Sequence, residues 1–321
     1  MDSALRRIRI AVSTGRLRGL PAEPGTSEIT LLGAGESYVA WRIGSGDQAQ
    51  VLRVPRRSPH EMPRSMTAEF ETLRRVPPEL GTRAIALETG TDNPLGTPYM
   101  VTTHVPGRAL RATDWNPRLA TALAHQIARL HEAFATSPAP SAVFVPSAGE
   151  QGEELLTWWG RHHPETLTDP RVTALLPAWR RELTRLAPAF EAVPIHPLIH
   201  GDVVVTNVIL GPDGVPRLID FEWSGPGDRA KDLALIGGRV IGGPWYLPMT
   251  PDDVAAFVTE YSRYSRHAGA IDPQQLLARR DAYELLDRMG NLLYCLSRPG
   301  EARYGMWADE IARNLTDRLA D

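Results

Sequence analysis

Residues 198–234 read LIHGDVVVTNVILGPDGVPRLIDFEWSGPGDRAKDLA, and this stretch decides the fold assignment. Asp202 follows a His-Gly pair, Asn207 comes five residues later, and Asp220 follows a second apolar run. This order is typical of phosphoryl transfer from a nucleotide, in which one carboxylate orients the attacking hydroxyl group while an amide and a second carboxylate bind Mg²⁺. The amide oxygen and the carboxylate are hard ligands of the kind that Mg²⁺ prefers.

A predicted β-hairpin supplies the scaffold for these residues. Residues 203–210 are mostly apolar and β-branched, residues 211–214 (GPDG) are typical of a turn, and residues 216–219 resume an extended run. Because a hairpin returns to where it began, we expect the two Asp residues and the Asn to lie close together. A hairpin in which Asp and Asn only form turns would explain neither the His-Gly pair before Asp202 nor the second acidic segment.

The segment resembles the aminoglycoside phosphotransferase family, whose members are protein-kinase-like enzymes that phosphorylate small molecules, many of them antibiotics. The matching residues are HGD at 200–202, Asn207, IDF at 219–221, GD at 227–228 and DLA at 232–234. The resemblance implies that Asp202 is the catalytic base, that Asn207 and Asp220 bind Mg²⁺, and that the GD and DLA residues are largely structural. We expect His200 to hydrogen-bond within the loop and to orient Asp202, rather than to abstract the proton itself.

Length and composition indicate an ordinary globular protein with room for two lobes. The chain has 321 residues, of which 42% are hydrophobic and 23% charged, and its net charge is -3. This charge does not support nucleic-acid binding, for which a basic stripe is expected. The sequence has no apolar stretch of roughly 18 residues and no signal-peptide pattern, and its single cysteine, Cys295, fits a reducing compartment. We therefore expect a cytoplasmic monomer or homodimer, with neither a membrane nor a nucleic acid as partner.

Three extended runs near the N-terminus predict antiparallel strands that cover a nucleotide. The runs are residues 28–32, 38–43 and 49–54, and a loop that contains Gly33, Gly35 and Ser37 separates the first two. Two glycines with one residue between them are a weak signal, since they also occur in simple hairpin turns. Ahead of a third strand and a charged helix, we interpret them as a loop whose glycines let the backbone approach phosphate oxygens.

An arginine replaces the phosphate-binding lysine of a kinase. The only lysine of the chain is Lys231, whereas Arg53 lies between apolar residues in the third strand, at the kinase lysine position. Glu69, on a helix predicted at residues 65–75, is expected to pair with Arg53. The strand sequence VLRVPRR is similar to the strand ends of some macrolide and aminoglycoside 2''-phosphotransferases.

Two further strands, at residues 85–87 and 99–103, complete the predicted sheet. The resemblance places the purine base on the backbone of Thr102, Thr103, His104 and Val105. Side chains there do not discriminate ATP from GTP, so either nucleotide is expected as phosphate donor. The predicted domains are an N-terminal nucleotide-binding lobe at residues 1–103 and a C-terminal catalytic and substrate-binding lobe at residues 104–321.

The C-terminal lobe is predicted to be mostly helical. Apolar residues at helical spacing predict helices at residues 119–134, 155–159, 172–176, 179–190, 251–266, 273–296 and 302–319. The resemblance implies that parts of this lobe shape the acceptor pocket, and the candidate residues are Glu222, Trp223, Trp245, Tyr246, Asp281 and Asp287. Because the charges are mixed, exposed Trp and Tyr side chains favour a flat, weakly cationic acceptor, such as a macrolide or a nucleoside antibiotic, over a polyamine.

Together these patterns predict an α+β, protein-kinase-like two-lobe fold, with a small antiparallel-sheet N-lobe and a larger, mostly helical C-lobe. The expected activity is Mg²⁺-dependent transfer of the γ-phosphate of ATP or GTP to a hydroxyl group of a small molecule. The favoured acceptor is an antibiotic of the aminoglycoside, macrolide or nucleoside type, whose phosphorylation confers resistance. A kinase for a metabolite (choline, homoserine or a sugar) shares every motif. A non-catalytic nucleotide-binding pseudokinase is favoured only by the missing lysine, and the presence of Asp202, Asn207 and Asp220 argues against it.

Overall fold

The computed structural model describes residues 2–20, 28–137, 144–265 and 272–320. The chain divides into two compact units. Unit 1 takes in the chain up to residue 108 together with residues 211–213 and 217–224, and unit 2 takes in the rest. An antiparallel sheet dominates unit 1 and helices dominate unit 2, which confirms the predicted α+β class.

A five-stranded antiparallel sheet forms the centre of unit 1. The elements are α1 (Asp2–Ser13), β1 (Ile29–Ala34), β2 (Tyr38–Ile43), β3 (Gln50–Pro55), α2 (Met66–Leu73), β4 (Ala84–Glu88) and β5 (Tyr99–Thr103). The strands are ordered β1-β2-β3-β5-β4. All five predicted strands are present, whereas α1 is not among the predicted helices, although Leu5, Ile8 and Val12 lie at helical spacing.

The helix α1 packs on one face of this sheet and closes the core of unit 1. Its buried residues Ile8 and Val12 belong to the same apolar cluster as Trp41, Leu52 and Val101 of strands β2, β3 and β5. Residues of β2 and β3 that point away from α1 are therefore available for polar contacts with α2, because successive side chains of a strand alternate between its two faces.

Helices with clear sequence boundaries form most of the remaining structure. In chain order the elements are β6 (Arg108–Ala109), α3 (Pro117–Phe134), α4 (Ala148–His162), α5 (Pro164–Leu167), α6 (Pro170–Leu186), β7 (His196–Ile199), β8 (Val208–Leu210), β9 (Pro216–Leu218), β10 (Gly225–Gly227), α7 (Arg229–Leu235), β11 (Gly237–Gly238), β12 (Leu247–Pro248), α8 (Pro251–Tyr264), α9 (Pro273–Leu296) and α10 (Ala302–Ala320). In α3 the side chain of Asn116 accepts a hydrogen bond from the Leu119 N–H, and Asp272 does the same for Gln274 in α9. In both helices a proline follows the capping residue, where its missing N–H costs nothing.

Two predicted helices are in fact one. The segment predicted at residues 172–176 and residues 179–186 of the next segment belong to the single helix α6, which continues through Pro177, whereas residues 187–190 form a short 3-10 helix. Helix α4 begins at Ala148, earlier than the predicted start at residue 155, because Ser147 and Glu150 form a capping box. The predicted end of another helix, residue 266, lies outside the described residues.

Among the residues described, no helix combines the length and the apolar character that crossing a bilayer requires.

Candidate active site

The loop that carries Asp202 begins where β7 ends. The backbone N–H groups of His200 and Gly201 donate to the two carboxylate oxygens of Asp232, each at 2.7 Å. Gly201 has a φ of 80°, a left-handed conformation that glycine adopts without strain. Asp202 follows directly and is half-buried. Two consecutive backbone hydrogen bonds to one carboxylate therefore set the direction in which the chain enters the Asp202 position.

Asn207 lies against Asp202 on the same loop. Its side-chain Nδ2 donates to the Asp202 carboxylate oxygen Oδ2 at 2.7 Å and to the Asp202 backbone oxygen at 3.0 Å. The ring nitrogen Nδ1 of His200 accepts a hydrogen bond from the Asp202 N–H at 3.3 Å. Because the amide nitrogen of Asn207 faces Asp202, its amide oxygen is the atom that can bind a cation.

Asp232 of helix α7 is the centre of a buried polar network. It is fully buried, and its Oδ2 is 2.9 Å from Nε2 of His131, whose Nδ1 is 2.8 Å from the hydroxyl group of Tyr261. Burial alone raises the pKa of Asp232, but hydrogen bonds from His131 and from the loop backbone hold that pKa below its usual range. Asp232 therefore remains a carboxylate and can accept all of these hydrogen bonds.

Asp232 is absent from the residues predicted for the site, since the DLA residues are expected to be largely structural. The sequence carries one signal for its role, since an acidic side chain occurs in an otherwise apolar part of α7, next to Leu233 and Ala234. A buried carboxylate needs partners, but only the folded chain shows that these are the backbone N–H groups before Asp202.

In unit 1 the central group is Arg53 of strand β3. Its guanidinium is buried and pairs with Glu69 of α2 through Nη1 and with Oδ1 of Asp220 through Nη2, the latter at 2.5 Å. Asp220 has a φ of 64°, and Asp is one of the residues that tolerate this left-handed conformation. The structure therefore brings three of the predicted site residues together: Arg53, Glu69 and Asp220.

Glu222 adds a third carboxylate beside Arg53. It is buried, and no donor among the described residues reaches its buried oxygen Oε2. Burial and the neighbouring charge of Asp220 raise the pKa of Glu222 to about 7. Three acidic side chains thus surround one guanidinium, and such an excess of buried negative charge suits a site that also takes up a cation.

The predicted magnesium ligands fall in different units, Asp220 in unit 1 and Asn207 in unit 2. Both offer hard oxygen atoms, and Glu222 adds an oxygen without a partner next to Asp220. Among the described residues there is no cluster of three or more His, Cys, Asp or Glu side chains that could form a metal cage. Each of these residues by itself offers a hard oxygen of the kind that Mg²⁺ takes from a protein before phosphate and water complete its coordination.

The glycine-containing loop between β1 and β2 is shorter than predicted. Gly33 belongs to β1 and pairs with Ala40, and the turn consists of residues 35–37. The N–H of Gly35 donates to the backbone oxygen of Tyr38 at 2.9 Å. The backbone oxygen of the buried Ser37 accepts a hydrogen bond from the Arg56 N–H at 2.8 Å. A Cβ atom at Gly33 would meet no atom within 4 Å, so nothing within the described structure demands glycine there.

The four residues predicted to hold the purine base lie at the end of β5 and just after it. Thr102 is buried between Val51 and Ala84 of the neighbouring strands. The N–H groups of Thr103 and His104 donate to backbone oxygens of Arg83 and Ala49, at 2.9 and 3.2 Å. Internal hydrogen bonds therefore already use two of the four N–H groups, and Val105 is the next residue along the chain.

Three of the predicted acceptor-pocket residues meet in unit 2. The hydroxyl group of Tyr246 donates to Oδ2 of Asp287 at 2.7 Å, and the backbone oxygen of Trp245 accepts from the Val205 N–H at 2.9 Å. Burial first, and then the charge of Asp287, raise the pKa of Tyr246 well above its usual value, and the carboxylate of Asp202 contributes in the same direction. These residues therefore lie in the neighbourhood of Asp202.

The other candidates lie elsewhere. Asp281 pairs with Arg280 at 2.9 Å. Trp223 is 53% exposed and, like Glu222, belongs to unit 1. The aromatic side of the cluster in unit 2 is instead extended by residues that the sequence does not single out. The ring centroid of Trp245 is 5.1 Å from that of Trp307 and 6.1 Å from that of Tyr294.

Comparison with known proteins agrees with this geometry. The model of the phosphotransferase enzyme family (APH) matches residues 28–273. Viomycin phosphotransferase of Streptomyces vinaceus is 30% identical over 204 residues, which cover 56% of this chain and 67% of that protein.

Solved structures of similar fold are aminoglycoside phosphotransferases. One is APH(2'')-IIIa in a complex with GDP and kanamycin, with a TM-score of 0.64, 17% identity and 98% of each chain covered. Another is a thermostable mutant of APH(4)-Ia with ADP and hygromycin B, with a TM-score of 0.57, 15% identity, and 92% of this chain and 95% of that chain covered. At these identities the likeness establishes the fold.

Proposed function

Because this chain belongs to the phosphotransferase enzyme family (APH), we propose that it transfers the γ-phosphate of a purine nucleoside triphosphate to a hydroxyl group of an antibiotic. The observation that carries the proposal is the Asp202 loop, in which Asn207 holds the carboxylate of Asp202 at 2.7 Å and Asp232 anchors the backbone just before it. A binding module has no use for a carboxylate held in this way.

Asp202 is the residue that acts on the acceptor. Its carboxylate orients the attacking hydroxyl group and accepts its proton as the bond to phosphorus forms. The hydrogen bond from Asn207 restricts the rotation of the carboxylate, so that less orientation entropy is lost at the moment of reaction. His200 supports the loop through its contact with the Asp202 N–H and takes no part in the proton transfer.

The nucleotide is held by unit 1. Arg53, oriented by Glu69, presents a guanidinium that can contact two phosphate oxygens at once. Gly33 at the end of β1 and the turn that follows, with Gly35 and Ser37, cover the phosphates. The purine base lies on the backbone of residues 102–105, where Val105 supplies the N–H group because those of Thr103 and His104 are used within the unit.

Asn207 and Asp220 hold Mg²⁺. When bound, Mg²⁺ neutralises negative charge on the phosphates. In the protein itself Arg53 pairs with Oδ1 of Asp220, and the carboxylate of Asp220 would supply a charged oxygen ligand to the cation. GDP, ADP and AMP-PNP occur in solved relatives of this fold, which supports a purine nucleotide as the donor here.

The acceptor class follows from the relatives and from the residues around Tyr246. The most informative relative is named for viomycin, and two solved structures of the same fold contain kanamycin or hygromycin B. On this chain the acceptor contacts are Trp245, Tyr246 and Asp287, which combine aromatic surface with one carboxylate. Viomycin, kanamycin and hygromycin B are therefore the first acceptors to test, ahead of macrolides and nucleoside antibiotics.

The experiment that tests this proposal is transfer of the γ-phosphate of ATP and of GTP, with Mg²⁺, to a panel of these antibiotics and of small metabolites. The product is detected by the mass increase of the acceptor, and the variant Asp202→Ala serves as the inactive control. An antibiotic that gains one phosphate with the wild-type protein but not with the control supports the proposal. Phosphorylation of a metabolite alone, or no transfer at all to the panel, contradicts it.

A further inference from the structure

The side chain of Tyr38 packs against Arg53 on the face of the sheet that points away from α1. Ala40 of β2 pairs directly with Arg53 of β3, so Tyr38, two residues earlier, is the diagonal neighbour of Arg53 on the same face of the sheet. The guanidinium carbon of Arg53 is 4.1 Å from the centroid of the Tyr38 ring. Tyr38 is buried, with only 5% of its surface exposed.

The hydroxyl group of Tyr38 also binds the partner of Arg53. It donates to Oε2 of Glu69 at 3.1 Å, while Arg53 donates through Nη1 to Oε1 of the same carboxylate. Each oxygen of Glu69 thus has its own donor. The second amino group of Arg53, Nη2, donates to Asp220. Tyr38 therefore limits both the tilt of the guanidinium plane and the rotation of the carboxylate that fixes one of its edges.

An arginine needs such a partner where a lysine does not. A lysine ammonium is a compact charge whose three donors rotate freely, so its position alone decides how it contacts phosphates. A guanidinium is planar, and its bidentate contacts depend on the orientation of the plane as well as on position. A flat aromatic ring against one face restricts this orientation, and the attraction between cation and ring is strongest where water is excluded.

We propose that Tyr38 is a positioning residue for phosphate binding, and that the pair of Arg53 and Tyr38 together performs the role of the lysine in a kinase. This inference rests on the proposed function, because it assumes that Arg53 contacts the nucleotide. Burial raises the pKa of Tyr38 far above its usual value, so its hydroxyl group remains a donor to Glu69 at every assay pH.

A competing explanation is that Tyr38 only fills the core. Tyr99 provides the matched control, since it is also a buried tyrosine of the same sheet and its hydroxyl group also has a single partner, the Arg18 N–H at 2.8 Å. Among the described residues, no hydrogen bond or ion pair joins Tyr99 to Arg53. Loss of the hydroxyl group at either position should lower thermal stability, but only loss at Tyr38 should change nucleotide binding.

The test compares Tyr38→Phe, Tyr38→Leu and Tyr99→Phe in the full chain, each in the Arg53 and the Arg53→Lys background. The dissociation constant for ATP and GTP with Mg²⁺ is measured by titration, and KM and kcat are measured with an acceptor that the wild-type protein phosphorylates. We expect Tyr38→Leu to raise the nucleotide Kd and KM by about 5–30-fold, Tyr38→Phe to raise them less, and Tyr99→Phe to leave them unchanged. In the Arg53→Lys background the effect of Tyr38→Phe should disappear.

The outcomes separate this inference from the proposed function. If the wild-type protein binds neither nucleotide, the proposed function fails, and the inference fails with it. If the wild-type protein binds nucleotide but Tyr38→Phe and Tyr38→Leu, both folded as judged by circular dichroism, match Tyr99→Phe, then only the inference is overturned. An equal effect of Tyr38→Phe in both backgrounds also overturns it, because Tyr38 would then act independently of the guanidinium.

Discussion

The two polar centres of the molecule are built in opposite ways. Around Arg53 in unit 1, the carboxylates of Glu69, Asp220 and Glu222 surround one guanidinium, and Glu222 has an oxygen without a donor among the described residues. Around Asp232 in unit 2, one carboxylate receives hydrogen bonds from two backbone N–H groups and from His131. The first centre therefore has more carboxylates than cationic groups, whereas in the second centre the carboxylate oxygens of Asp232 all accept hydrogen bonds from the protein.

This difference suggests that the centre around Arg53 binds a ligand, whereas the centre around Asp232 supports the loop that carries Asp202. Buried negative charge is costly unless a cation or a proton compensates it, and burial together with Asp220 raises the pKa of Glu222 to about 7. A cation that binds beside Asp220 would relieve the same cost. The Asp232 network has no such excess, so its role is to hold the loop that carries Asp202.

The largest effect is expected when the carboxylate of Asp202, whose loop the second centre supports, is removed. We expect Asp202→Ala to lower kcat by about 10²–10⁴-fold, the usual contribution of a general base, while the nucleotide Kd changes little, since the proposed nucleotide contacts belong to unit 1. Steady-state kinetics and nucleotide titration on the same preparation measure both quantities. Turnover at the wild-type rate would remove Asp202 from the mechanism.

The next effect concerns the first centre. We expect Asp220→Asn to lower activity on the order of 10²-fold at low Mg²⁺ and to move the Mg²⁺ titration to higher concentration, because it removes a charged metal ligand. Asp213→Asn is the matched control, since Asp213 lies in an exposed turn and pairs with Arg217. An unchanged Mg²⁺ titration in Asp220→Asn would exclude Asp220 as a ligand.

A smaller effect on kcat is expected when the hydrogen bonds that hold the Asp202 loop are weakened while Asp202 itself is unchanged. Asp232→Asn replaces one acceptor oxygen by a donor, so that at least one of the hydrogen bonds to the His200–Gly201 backbone is lost. Since such a bond to a charged group contributes about 1.5–3 kcal/mol, we expect kcat to fall by roughly 10–100-fold with little change in nucleotide Kd.

Asp228→Asn is the control for Asp232→Asn on the same helix. Asp228, the N-cap residue of this helix, is also buried and pairs with Arg279 at 2.8 Å, and its hydrogen bonds among the described residues go to Ala230 and Arg279 rather than to the Asp202 loop. Thermal denaturation should show that both variants lose stability, and kinetics should show that only Asp232→Asn loses turnover. Equal kcat values for the two variants would mean that Asp232 is a stability residue alone.

The smallest effect is a pH dependence of stability that comes from His196, next to the Asp232 network. Burial and the neighbouring His131 lower the pKa of His196 to about 4, and its Nε2 has no acceptor among the described residues. Between the unfolded pKa near 6.5 and the folded value of about 4, the unfolded chain binds more protons, so the free energy of unfolding falls as the pH decreases through this window.

We therefore expect His196→Gln to flatten the decline of thermal stability between pH 6.5 and 4, and His162→Gln, at an exposed histidine of α4, to leave it unchanged. Thermal denaturation of the three proteins across this pH range measures the effect. A decline as steep in His196→Gln as in the wild type would assign the acid sensitivity to other groups.

Much of the site is visible in the sequence because its chemistry needs particular residue types at particular spacings. Arg53 is recognisable as the only basic residue in its strand, and Glu69 by its position on the next helix; the structure joins them in an ion pair. The five strands are also predictable, because alternating apolar residues and turn residues mark them. The merger of two predicted helices into α6 is not, since Pro177 is normally a helix breaker.

The remainder depends on contacts between residues far apart in the chain. Asp232 is 31 and 32 residues from the N–H groups that it accepts, and Tyr38 is 31 residues from Glu69. Neither pairing can be read from a local motif, because an acidic residue or a tyrosine with another partner would fit the same helix or strand pattern equally well.

By itself, therefore, the sequence determined the fold class, the family and the order of the residues that transfer a phosphoryl group. Those properties follow from local spacing and from residue chemistry. Only the tertiary structure decided that the Tyr38 ring lies over the guanidinium carbon of Arg53 and that Asp232 anchors the Asp202 loop. The physical reason is that a buried polar group must find its partner in space, and the packing of distant elements alone determines which group lies within hydrogen-bond distance.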